Sequence, residues 1–297
     1  MLSGVLKRGQ LICGRWERHS YRVVRLLGQG GTGSAYLVQN SDGLRRAMKI
    51  SGDPLEITRE HRMLLYLNRF NPGEAATKVP RVYELDDFQT GSEVYHYMIT
   101  EYCPGTGLDK YIGRMKAWDV ARVGSQIATL LSCLHREGLI FGDLKPGNII
   151  CDFRHNLTYL VDFGSVTIRG VGLKQYTPCY DRASWRAGSR LADEKYDIFA
   201  LGMLLIALLV GKPKRDKESL EEVISRASRR IKPDLLWKTI AAALSQDNMT
   251  CGQIAANLQA IMEDIFSKEV DWTVGATVNL LGAVSVITFI LGLAYYY

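Results

Sequence analysis

Three side chains in one short run constrain this chain more than any other feature. They are Asp143, Lys145 and Asn148, in Phe141-Gly-Asp-Leu-Lys-Pro-Gly-Asn148. A short β pattern, Ile149-Ile150, follows, and Asp162-Phe163-Gly164 comes fourteen residues after Asn148. Phosphoryl transfer from a nucleotide needs such parts. One carboxylate takes the proton of the attacking hydroxyl, a lysine meets the moving phosphoryl, and an amide and a second carboxylate hold metal ions.

Upstream, Tyr21 to Leu27 alternates and is rich in β-branched residues, which predicts a strand. Gly28-Gln-Gly30-Gly31-Thr-Gly33 follows, a turn whose glycines let backbone close over phosphates without Cβ clashes. A dinucleotide-binding turn would need a helix next. Ala35 to Val38 instead reads as strand and runs into the turn Asn40-Ser-Asp-Gly43. Glu56 to Leu67 reads as a helix, with Ile57, Glu60, Leu64 and Leu67 on one face. A second helix carries Val120, Val123, Ile127, Leu130, Leu131 and Leu134 at helical spacing and stops at Gly138.

This ordered set resembles the protein-kinase family, over roughly Tyr21 to Phe266. The resemblance implies an α+β, bilobal protein-kinase fold with a small β-rich N-lobe (about 21–102) and a helical C-lobe (about 103–268). It also implies roles. Asp143 and Lys145 are the catalytic pair, and Asn148 and Asp162 hold Mg²⁺, with Mn²⁺ as an alternative. Gly28, Gly30 and Gly33 cover the ATP phosphates, and Lys49, in Ala47-Met-Lys-Ile50, grips them while paired to Glu60. Ala35, Ala47 and Ile150 line the adenine site and Thr100 guards its rear. Backbone groups of Glu101 to Cys103 would bond the base. Tyr176-Thr-Pro-Cys-Tyr180 resembles the segment that docks a protein substrate, with Thr177 placed against Asp143. Asp197 resembles the buried acid that ties the catalytic loop to the lower lobe.

The chain departs from the family in a consistent way. Phe141 and Gly142 stand where the family has His and Arg, and Arg182-Ala183-Ser184 stands where it has Ala-Pro-Glu. That missing Glu normally pairs with a late Arg, and no Arg lies in the corresponding Ser245 to Thr250. Losing both halves of a buried ion pair together is close to neutral, whereas losing one is costly. Phe141 is expected to fill its place in an apolar stack with Leu64, Leu85 and Phe163. Gly142 cannot capture a phosphate, so activity is expected to be independent of activation-loop phosphorylation.

The last 26 residues, Trp272 to Tyr297, contain no charge and are bracketed by Trp272 and three tyrosines. That pattern predicts a single transmembrane helix over 272–297, with every Lys and Arg on its N-terminal side and the kinase domain in the cytoplasm. Residues 1–20 read as an N-terminal extension and 21–268 as the kinase domain. Phe141-Gly-Asp-Leu-Lys-Pro, Tyr180-Asp-Arg and Tyr196-Asp-Ile-Phe-Ala, with the anchor, resemble the tail-anchored Hanks-type kinases of endospore-forming bacteria. The function implied is a cell-membrane serine/threonine protein kinase acting on protein substrates. A membrane-anchored pseudokinase scaffold and a kinase of small-molecule hydroxyls are the alternatives.

A net charge of +6 is too small an excess to imply nucleic acid, and the six cysteines contain no C-x-x-C pair. The basic cluster from Lys212 to Lys232 reads first as a solvated face. A sharper reading is attraction to anionic lipid beside the anchor.

Overall fold

In the computed structural model the described residues are 6–31, 33–70, 77–245 and 248–268. The alternation read in Tyr21 to Leu27 becomes strand β2 (Ser20–Gly30), which buries Tyr21 and Val23 and leaves Arg22 outside. It belongs to an antiparallel six-stranded sheet with β1 (Leu11–Cys13), β3 (Gly33–Asn40), β4 (Arg45–Ser51), β6 (Val82–Thr90) and β7 (Glu93–Glu101). The strand order is β1-β2-β3-β4-β7-β6. The Asn40 side chain accepts from the amides of Asp42 and Leu44 and shapes the β3–β4 turn. Helix α1 (Pro54–Phe70) presents Ile57, Glu60, Leu64 and Leu67 as one buried face.

β1 falls within the stretch expected as an extension, and its registered pairing with β2 carries the sheet past Tyr21. Two buried carboxylates fasten the adjoining loop. Asp86 accepts the amides of Trp16 and Glu17, and Glu84 accepts the hydroxyls of Tyr21 and Tyr97 and faces His19 Nδ1 at 2.7 Å.

The lower lobe is built on α2 (Ala117–Arg136) and α3 (Glu194–Val210), with α4 (Leu220–Arg230), α5 (Asp234–Ser245) and α6 (251–268). α3 is buried from Tyr196 through Leu208 on every side, as expected of a short apolar run inside a lobe. Its core is continuous with Ile57, Leu64 and Leu67 of α1, so one apolar body joins the lobes. Short strands β5 (Thr77–Lys78), β8 (Thr106–Gly107), β10 (Ile149–Asp152) and β11 (Leu157–Leu160) form a second sheet. β9 (Leu139–Ile140) pairs with β12 (Thr167–Ile168). Among the described residues no helix is long and apolar enough to cross a membrane, and the anchor expected over 272–297 lies outside them.

Candidate active site

Lys49 projects from β4, and α1 lies across that strand. The Lys49 ammonium meets Glu60 Oε2 at 2.6 Å and Asp162 Oδ1 at 2.9 Å. Burial, the largest single influence, pulls its pKa down, but the two carboxylates together outweigh it and the net direction is up. The side chain therefore stays charged. The second Glu60 oxygen accepts the Phe163 amide at 3.1 Å, which fixes the Asp162-Phe-Gly turn from above. Asp162 itself has φ +70°, a left-handed conformation uncommon outside glycine and frequent at functional turns.

Below, Asp143 lies between two donors. Thr177 donates its hydroxyl to Oδ1 at 2.8 Å, and the Lys145 ammonium is bonded to Oδ2. Asn148 donates its amide to the Asp143 carbonyl at 2.9 Å, so its side-chain oxygen is the group it can offer a cation. Asp197, wholly buried, accepts the amides of Phe141 (2.8 Å) and Gly142 (2.9 Å) and meets His135 Nε2 (2.9 Å). The catalytic loop thus hangs from the first turn of α3. Among the described residues no three His, Cys, Asp or Glu side chains group together as a metal cage. An Asn148 and Asp162 pair suits a cation that completes its shell with phosphate and water oxygens, as Mg²⁺ does.

The glycine turn divides in two. A Cβ at Gly28, Gly30 or Gly31 would meet nothing within 4 Å, leaving open space on that side, as a phosphate cradle requires. A Cβ at Gly33, where φ is +138°, would fall 2.0 Å from the Ile50 carbonyl. Glycine at 33 is therefore demanded by the close approach of β4. Ala35, Ala47, Thr100 and Ile150 are half-buried along the cleft, with Ala47 opposite Thr100 across β4 and β7. At the hinge, the Glu101 amide is committed to Arg81 O at 2.7 Å. Its carbonyl accepts the Thr100 hydroxyl at 3.4 Å and the buried Cys103 thiol at 3.9 Å.

This geometry joins a charged lysine–glutamate pair under a glycine turn to an acid held beside a second lysine and a hydroxyl. Residues 21–275 match the protein kinase domain. The chain belongs to the protein kinase family. It is 34% identical over 225 residues to the serine/threonine-protein kinase YabT of Bacillus subtilis, covering 74% of this chain and 65% of that one. It is 26% identical over 219 residues to the serine/threonine-protein kinase PrkC of the same species, covering 71% of this chain and 33% of that one. The chain thus spans just under two thirds of the first relative's length and a third of the second's. Vaccinia related kinase 3 has the same fold, with a TM-score of 0.66 at 13% identity over 88% of this chain and 93% of that chain.

The departures from the family have physical accounts. Phe141 stacks edge-to-face on Phe163, ring centres 5.6 Å apart, and both share a core with Leu64, against which Leu85 packs. The aromatic pair of the expected stack is therefore in place, in the same core as its two leucines. A network that the sequence reading missed occupies the region of the absent Ala-Pro-Glu. Buried Asp181 accepts Ser184 Oγ (2.6 Å), Tyr196 OH (2.9 Å) and Arg190 (2.8 Å). Beside it, buried Arg182 reaches Asp193 at 2.6 Å. Burial pushes the Asp181 carboxyl up, but these hydrogen bonds and the Arg190 charge hold it below the ordinary range.

Proposed function

We propose that this chain is a serine/threonine protein kinase transferring the γ-phosphoryl of ATP to protein hydroxyls. In this reading 272–297 anchors it in a membrane, with the kinase domain on the cytoplasmic side, and it works without phosphorylation of its activation segment. The observation that carries the catalytic reading is the Lys49 bridge to both Glu60 and Asp162, which draws the phosphate-gripping lysine and the metal-binding acid together.

ATP enters as substrate beneath Gly28 and Gly30, with its base against the half-buried lining at Ala35, Ala47, Thr100 and Ile150. Lys49, oriented by Glu60, takes the α- and β-phosphates. An incoming serine or threonine hydroxyl meets the Asp143 carboxylate, which orients it and accepts its proton. Lys145, already on that carboxylate, supplies positive charge to the moving phosphoryl. Asn148 and Asp162 would hold Mg²⁺, with Mn²⁺ as an alternative, whose bound charge offsets that of the phosphates.

Independence from phosphorylation is supported by how the segment is held. β12 pairs with β9, Ser165 Oγ bonds Phe141 O at 2.8 Å, and Leu173 is bonded through its amide to Arg190 O. Gln175 also reaches Glu56 of α1 at 3.2 Å.

Labelled ATP, Mg²⁺ and protein acceptors test the reaction. Label in protein that disappears in Asp143→Asn supports the proposal. Label only in a small product would favour a small-molecule kinase, and no label a scaffold. Ser165→Ala and Thr167→Ala should keep activity; loss in either, restored by an acid at the same position, would overturn the third part. For the anchor, the full chain should sediment with membranes and a chain ending at 271 should not.

A further inference from the structure

The loop after α3 carries four exposed cations, Lys212, Lys214, Arg215 and Lys217, against one acid, Asp216. Pro213 among them is buried and acts as the anchor, because its carbonyl accepts the Cys179 thiol at 3.3 Å. The loop is therefore fastened to Cys179, within the segment Tyr176 to Tyr180. Its other end is held where the Arg215 guanidinium bonds Ser184 O and lies 5.7 Å from the Trp185 ring. The next acid along the chain, Glu218, is already taken by Arg226 at 3.1 Å and by the Lys214 amide at 2.9 Å. Among the described residues Lys212, Lys214 and Lys217 have no ion-pair partner.

The position of this charge matters more than its amount. Thr177 is bonded to Asp143, and Cys179, which touches the loop, is two residues further along in a turn closed by the Tyr180 amide on Thr177 O, which puts it no more than about 7 Å away along the chain. A protein segment with its hydroxyl at Asp143 would pass the loop within roughly three to five residues of that hydroxyl. The remaining cations are elsewhere. Arg229 and Arg230 sit at the far end of α4, about 16 Å along the helix, where Arg229 bonds Ser225 and neighbouring Lys232 bonds Asp234.

We propose that Lys212, Lys214 and Lys217 form a specificity surface that selects Asp or Glu flanking the acceptor serine or threonine of a protein substrate. This rests on the protein-kinase reading of the chain. It also splits the basic cluster, giving its loop half to the substrate rather than to a bilayer.

The test uses the full chain and serine peptides of one length, with Glu on the N-terminal flank, Glu on the C-terminal flank, or Gln throughout. Glu on one flank should lower KM about 5–10-fold relative to Gln at unchanged kcat, and the advantage should shrink as added salt screens it. Lys212→Gln/Lys214→Gln/Lys217→Gln should erase the preference and leave the KM values for ATP and for the Gln peptide unchanged. Equal KM for all three peptides, or a preference that survives the triple substitution, overturns the proposal. So does a triple variant that loses only its binding to phosphatidylglycerol vesicles, which would assign the loop to lipid. No label on any acceptor overturns the kinase reading and the loop's role with it, whereas label without charge preference overturns the loop's role alone.

Discussion

Leu173 packs on the bare backbone of Gly142: a Cβ at residue 142 would lie 2.8 Å from Leu173 Cδ2 and 3.1 Å from Ser165 O. The backbone there has φ +82°, so a side chain is opposed by local conformation as well as by its neighbours. Installing the family's arginine, Gly142→Arg, is expected to destabilise the domain by about 1–2 kcal/mol from the left-handed backbone alone, and by more from the displaced segment. Activity should fall with the melting temperature and should not become phosphorylation-dependent. In a double-mutant cycle, Leu173→Ala should relieve part of the Gly142→Ala cost. Purely additive losses would mean that Leu173 and residue 142 do not meet.

Glu60→Gln removes the charge opposite Lys49 but keeps a side-chain oxygen for the Phe163 amide. The expected loss in kcat/KM for ATP is on the order of 100-fold, since a largely buried ammonium keeps only its Asp162 partner. A steady-state ATP titration measures it. A loss under about threefold would show that Lys49 does not depend on Glu60 for its position.

Asp197 holds two loop amides and faces a histidine from a fully buried position. Asp197→Ala leaves buried donors unpaired and should cost roughly 3–5 kcal/mol, while Asp197→Asn retains one acceptor oxygen and should cost less. Urea unfolding of the two variants decides the matter. Equal midpoints would mean that the amides find other acceptors.

Asp181 gives a pH dependence of known sign. Its folded pKa lies below the unfolded value of about 3.9, so its stabilisation is fully present above that pH and is lost as pH falls through the folded value. Wild type should therefore lose stability on acidification below about pH 4 more steeply than Asp181→Asn, which lacks that titration. Thermal melts between neutral and acid pH would show it. Parallel curves would remove Asp181 from the account of acid sensitivity.

What could be read in the residues was what repeats or keeps a fixed distance. The α1 face with Glu60 and the apolar run of α3 are buried as their periodicity indicated, and the spacing from Asp143 to Asp162 marked two carboxylates that each pair with a lysine. The Asp181 network escaped because Ser184, Arg190 and Tyr196 return to it across an irregular loop with no period. The role of Gly33 was only half legible. The Ile50 carbonyl that requires it comes from the next strand, and no local pattern announces that approach. Leu173 over Gly142 is likewise a meeting of two loops, invisible in either one.

The short strand β1 bears on where a fragment of this protein can safely be cut. The kinase-domain match begins at Tyr21, yet Leu11 to Cys13 cover the outer edge of β2, and Gly14 packs against the Asp86 carboxylate. Starting a fragment at residue 21 would bare a row of unpaired backbone groups and strip Asp86 of the Trp16 and Glu17 amides. Such an edge recruits strands from other molecules. Poor solubility in a fragment trimmed to the family boundary would then reflect the trimming, and keeping the residues from Leu6 onward is the remedy.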